Sequence, residues 1–143
     1  MSSIKGDKIR NIAIVGHSGE GKTSLCEAML FNGGVIDRIG KVADGTTVSD
    51  YDDLERAKKM SMYTSSSYLF WEDVKVNLFD LPGFYDFEGE RAAGLRAAGG
   101  ALLVIGANGT VPIGAESMID YCLKIRKPMI IFINGMDKDN ADY

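Results

Sequence analysis

Residues 16–23 read GHSGEGKT, a match to G-x-x-x-x-G-K-[ST], and no other feature narrows so far what this chain can fold into. Its glycines let backbone N–H groups curl around phosphate oxygens, and the positive end of a following helix dipole adds to that field. The flanks supply the required context. Lys8 to Val15 (KIRNIAIV) reads as a buried strand, and Lys22 to Phe31 as a helix with Leu25, Ala28 and Met29 at i, i+3 and i+4. The expectation is a phosphate-binding loop formed by Gly16, His17, Ser18, Gly19, Glu20, Gly21, Lys22, Thr23 and Ser24. Lys22 supplies a mobile positive charge for the β- and γ-phosphates, and the Thr23 hydroxyl is placed to ligate Mg²⁺.

Short apolar strands alternate with helices along the rest of the chain. Ser65 to Trp71 and Val74 to Phe79 are separated by Glu72-Asp73, which predicts an antiparallel hairpin. Glu90 to Ala98 is a helix candidate, Ala101 to Ile105 a buried strand, Gly114 to Arg126 a helix and Met129 to Ile133 another buried strand. The order β-α-β-β-α-β-α-β implies an α/β P-loop NTPase fold: a mainly parallel sheet, one antiparallel hairpin strand, helices on both faces. Between Asn32 and Thr64 no apolar period is sustained, although the segment holds the charged run DYDDLERAKK. A stretch that long without structure is uncommon in a compact domain unless it is functional or mobile, so residues 33–64 are expected to form a switch or lid. Within it, Glu55, Lys58 and Lys59 are spaced as the solvated face of a short helix.

The 143 residues, 45% hydrophobic, suffice for one buried core. A net charge of −4 argues against a whole-surface grip on nucleic acid, and no sequence-specific nucleic-acid binding is expected. Cys26 and Cys122 have neither metal-ligand spacing nor a partner histidine and read as reduced, packed thiols. The polar start MSSIKGDK does not fit a signal peptide, and no apolar run approaches the roughly 18 residues of a membrane span. The expected location is the cytoplasm, away from membranes. Trp71, beside the hairpin turn, reads as packing.

Two further loops follow strand ends. In DLPGFYDF, Asp80 closes an apolar strand, from which its carboxylate can reach a water on the same Mg²⁺, and the Gly83 N–H is placed to sense a γ-phosphate. In NGMD, after MIIFI, the Asp137 carboxylate can accept two hydrogen bonds from the N1–H and exocyclic amine of guanine, where adenine presents an acceptor. Two such charge-assisted bonds favour guanine by roughly 10²–10⁴. The nucleotide expected is therefore GTP or GDP, read by Asn134 and Asp137.

Through GHSGEGKTS, DYDDLERAKKMS, SSYLFWEDVKVNLFDLPGFYDF, NGTVPIGAE and IFINGMDKDNADY, the chain resembles the translational GTPases, nearest elongation factor G and its relatives. The resemblance runs from about Lys8 to Tyr143 and rests on four motifs in order. It implies a G domain, Mg²⁺-dependent GTP hydrolysis and action on the ribosome. It sets Ser61 at the position of the family's switch threonine, as a ligand of Mg²⁺ with Thr23 and Asp80. Three positions depart from the pattern: Phe84 replaces the histidine that orients the attacking water, Gly135 the lysine of N-K-x-D, and Gly19 a commonly acidic residue. No residue is assigned as catalytic. The family's next guanine-binding loop and its later domains do not follow, so residues 1–143 are expected to be a partial G domain. The leading expectation is a GTP-hydrolysing domain of an elongation factor G-like protein. The alternatives are a ribosome-binding switch with little hydrolysis and, favoured only by Gly135, a P-loop ATPase.

Overall fold

Strand β1 (Ile9–Val15) runs through the centre of the sheet and has side chains buried on both of its faces, which requires cover on both sides. The structure is a computed structural model describing residues 4–139 and 141–142. The last positions of the resemblance, Asn140 and Tyr143, lie outside the described residues.

Five strands form one sheet in the order β2-β3-β1-β4-β5, with β2 at Ser65–Trp71, β3 at Val74–Asp80, β4 at Gly100–Gly106 and β5 at Met129–Asn134. Strands β1, β3, β4 and β5 pair parallel, while β2 pairs antiparallel with β3 around a Glu72-Asp73 turn. Helix α1 (Lys22–Asn32) covers one face, where Cys26 and Leu30 pack with Ile14, Leu78 and Val104. On the other face, α3 (Glu88–Ala97) and α4 (Ile113–Lys124) bring Leu95, Ala115, Met118 and Cys122 onto Ala13, Val15 and Leu103. Alternate residues of β1 thus serve two cores, as strand periodicity demands. Cys26 and Cys122 are both buried free thiols, and burial pushes Cys26 up to about 11. No helix among the described residues is long and apolar enough to cross a membrane.

Four expectations need correction, the last of them in the 33–64 segment. The buried side of α1 carries Thr23, Cys26, Glu27 and Leu30, with Leu25 and Met29 only partly buried at its margin. Apolar spacing misjudged that face because a carboxylate and a thiol occupy it. The apolar run of β5 is not buried: as an edge strand it exposes Ile130, Ile131, Phe132 and Ile133, because no strand or helix of the described residues covers it. Trp71 is 61% exposed at the hairpin end rather than packed.

The 33–64 segment is ordered chiefly by buried carboxylates, with Ile36 adding an apolar contact to the core around α1. It contains a 3-10 turn at Val42–Asp44 and a short helix α2 (Asp53–Lys58) opened by an Asp52 capping box. Glu27 of α1 is fully buried and accepts the N–H groups of Gly40 at 2.8 Å and Val48 at 2.6 Å. Glu55 is likewise buried, which overturns its reading as a solvated surface residue. It accepts from the backbone N–H of Asp52, Met62 and Tyr63 and so fixes the passage from α2 into β2. Glu27→Ala leaves two amides without their charged acceptor and is expected to cost roughly 3 kcal/mol. Hydrogen exchange at Gly40 and Val48 should accelerate far more than exchange in β1, and equal protection in the variant would refute the tether.

Candidate functional site

The phosphate-loop motif, the end of β3, the end of β5 and the 33–64 segment meet at the carboxyl ends of the parallel strands. Pairing of Ile14 with Asp80 places the end of β3 beside the start of the GHSGEGKT loop. Positive φ at Gly16, Gly19 and Gly21 turns that loop, and α1 begins at Lys22. Lys22 is 6% exposed and its Nζ donates to the His17 carbonyl at 2.8 Å across the loop. Burial lowers the Lys22 pKa, against the Asp80 and Glu20 carboxylates, which hold it up. Gly83 crosses directly over this ammonium: a Cβ there would collide with Lys22 Nζ and lie 2.7 Å from Ser18 N. Only glycine permits that approach.

Ser18, Lys22, Thr23, Ser61, Gly83 and Phe84 contribute to the walls of a cleft of about 190 Å³. Gly19, Gly21 and Ser24 line it as well, and so do Val42, Lys59 and Met60 of the 33–64 segment. Gly16, His17 and Glu20 do not. Gly16 lies against the Val104 backbone, His17 turns its ring towards Gly114 of α4, and the Glu20 carboxylate accepts the Gly106 N–H. These three brace the loop from behind.

Beside Lys22, oxygen atoms gather. Thr23 Oγ1 lies 3.3 Å from Ser61 Oγ, so the 33–64 segment already reaches α1. Ser61 donates to Asp50 Oδ1 at 2.7 Å, and Thr47 to Asp50 Oδ2 at 3.0 Å. Asp50 is 2% exposed although it opens the charged run, where sequence does not distinguish a buried acid from its solvated neighbours. Asp80 is 1% exposed, and neither of its carboxylate oxygens has a hydrogen-bond partner of good geometry. On the other side of the loop, Asn134 Nδ2 donates to the Glu20 carbonyl at 2.9 Å, fastening β5 to it. Asp137 is exposed in the turn beyond, which Lys138 N–H closes onto the Gly135 carbonyl at 3.2 Å.

Residues 7–143 match the elongation factor Tu GTP binding domain. The chain belongs to that family. An elongation factor G-like protein of Mycobacterium tuberculosis is 42% identical over 135 residues, covering 94% of this chain and 19% of that protein. The mitochondrial ribosome-releasing factor 2 of Candida dubliniensis is 34% identical over 143 residues, all of this chain and 18% of that protein. A crystal structure of a Thermus thermophilus protein superposes with a TM-score of 0.88 at 35% identity, over 92% of this chain and 20% of that one. The chain therefore spans about a fifth of the length of the relatives it matches.

The chemistry of this elongation factor Tu GTP-binding domain fits a hard cation at the oxygen cluster. Among the described residues no group of three or more His, Cys, Asp and Glu side chains could hold a metal ion alone. Two hydroxyls beside a buried carboxylate that has no well-formed hydrogen bond and only weaker interactions with the Thr23 and Ser49 hydroxyls are instead the kind of partial shell that Mg²⁺ completes with water and phosphate oxygens. Burial pushes Asp80 from 3.8 up to about 6, opposed by the Thr23 hydroxyl and Lys22, and reinforced by the Asp50 charge. A raised carboxylate pKa means that the folded chain keeps a proton the unfolded chain releases. The associated stability is complete below about pH 4 and is lost as pH rises through about 6. The nucleotide-free chain should thus lose up to roughly 3 kcal/mol from this group between pH 4 and 7. Asp80→Asn should flatten that part of the urea-unfolding profile, and an unchanged profile would show that Asp80 titrates normally.

Proposed function

We propose that this chain is the GTP-binding and GTP-hydrolysing part of an elongation factor G-like translation factor acting on the ribosome. The observation that carries the nucleotide reading is the closure of Gly83 and Ser61 over Lys22 and Thr23, next to a buried carboxylate without a well-formed hydrogen bond. In this reading the loop amides and Lys22 hold the phosphates, with Gly83 N–H at the γ-phosphate. Thr23 and Ser61 ligate Mg²⁺ directly, and Asp80 holds it through water. The cation supplies charge neutralisation of the β- and γ-phosphates. Asn134 fixes the loop, Asp137 accepts from guanine, and residues 33–64 act as the switch that senses the nucleotide. Family membership and the names of the relatives support translation as the setting.

Calorimetric titration with GDP and separately ADP, both with Mg²⁺, tests this assignment. GDP bound at least a hundredfold more tightly than ADP supports the guanine site, equal affinities favour the ATPase reading, and binding of neither refutes a nucleotide site in this chain.

A second reading is favoured by one observation. Among the described residues, the cleft walls include no histidine, aspartate or glutamate, and the Phe84 ring stands in them instead. A phenyl group neither donates nor accepts a hydrogen bond to an attacking water. The chain would then be a GTP-dependent ribosome-binding switch with little turnover. Single-turnover γ-phosphate release with and without ribosomes separates the two: release at a rate similar to that of a histidine-bearing relative removes the switch-only reading.

A further inference from the structure

Residues 135–138 form a turn whose last residue folds back over its first. Gly135 has φ +77°, a left-handed conformation that leaves its outer side bare, and Lys138 N–H closes the turn onto its carbonyl. The Lys138 side chain fills the bare side. Its Cε lies 3.2 Å, and its Cδ and Nζ 3.4 Å, from the point where a side chain at 135 would begin. Among the described residues no ion pair or side-chain hydrogen bond of Lys138 accounts for this path. The stem therefore lies along the backbone of the same turn that presents Asp137, one residue before it.

From this geometry we infer that Lys138 is an affinity-determining residue of the base site, its alkyl stem and ammonium forming the shelf on which the purine face rests. This rests on the reading of Asp137 as the group that meets the base edge. A carboxylate accepting in-plane hydrogen bonds fixes the edge of a purine and leaves its faces to be covered. A lysine stem gives an apolar surface and its ammonium attraction to a π system, a contribution that is modest at an exposed site. Lys138 thereby does from position 138 what a long side chain at 135 would do, and the two cannot share the space: a side chain at 135 would have to displace the Lys138 stem and accept a strained backbone.

The test uses the 143-residue chain in Mg²⁺ buffer with three ligands, GDP, ADP and pyrophosphate, comparing wild type with Lys138→Ala and Lys138→Met. Lys138→Ala is expected to weaken GDP about three- to fivefold and to leave pyrophosphate unchanged, since pyrophosphate carries no base. Lys138→Met, which keeps a long stem, should recover part of that loss. A variant that binds GDP as wild type does, or that loses GDP and pyrophosphate equally, overturns the shelf, the second outcome meaning simple charge attraction. The guanine reading fails separately, if wild type binds ADP as well as GDP. The shelf is then judged by whether Lys138→Ala weakens both nucleotides relative to pyrophosphate. Thermal melts matching wild type exclude loss of fold as the cause.

Discussion

Lys22→Met is expected to lower the affinity for Mg²⁺-GDP by a factor of roughly 10²–10³ while leaving the folded chain as stable as wild type or more so. The binding loss follows from the removal of a charge that serves several phosphate oxygens, where charge-assisted bonds contribute about 1.5–3 kcal/mol each. The stability follows from burial. Lys22 is 6% exposed and its pKa is lowered, so the ionised side chain costs folding free energy in the absence of a phosphate partner. A methionine of similar length keeps the packing and removes that cost. Calorimetry with GDP and a thermal melt together distinguish the outcomes. Unchanged GDP affinity would show that the loop does not hold phosphate through Lys22, and a melting temperature several degrees lower would show a structural role for its charge.

The sequence made the loop and the sheet legible for a physical reason: both are local. A glycine-rich turn between an apolar strand and a helix is written in consecutive residues, and the strand boundaries agree with the structure within two residues. What escaped was set by tertiary burial of charge. Glu27, Asp50 and Glu55 look like three more acids in a chain with many, and each is buried with backbone amides or hydroxyls as partners. Their partners are up to 21 residues away, so no spacing rule finds them. The 33–64 segment accordingly showed no apolar period although it is held in place. The meeting of Ser61 with Thr23, 38 residues apart, followed from family resemblance and not from any pattern in the residues. Position 135 shows the reverse limit: the sequence displays a missing lysine, and only the structure shows Lys138 lying in its space.

On the proposed reading, Phe84→His is expected to raise γ-phosphate release, measured in the presence of ribosomes, by about a hundredfold, with GDP affinity changed by less than about threefold. Phe84 is 37% exposed on the cleft wall, next to Gly83, so exchange of its ring for a smaller one gives up part of its apolar cover, and a thermal melt run alongside registers that cost. An imidazole at this place adds what the cleft walls lack, a group able to accept from and orient a water, a contribution of about 10²–10⁴ where geometry is right. The expected gain lies at the lower end of that range. Phe84→Ala is the necessary companion: it opens the wall without supplying an acceptor, so it should not accelerate hydrolysis. Acceleration by both variants would mean that the phenyl ring merely blocked water, and acceleration by neither would mean that hydrolysis in this domain depends on groups outside the cleft.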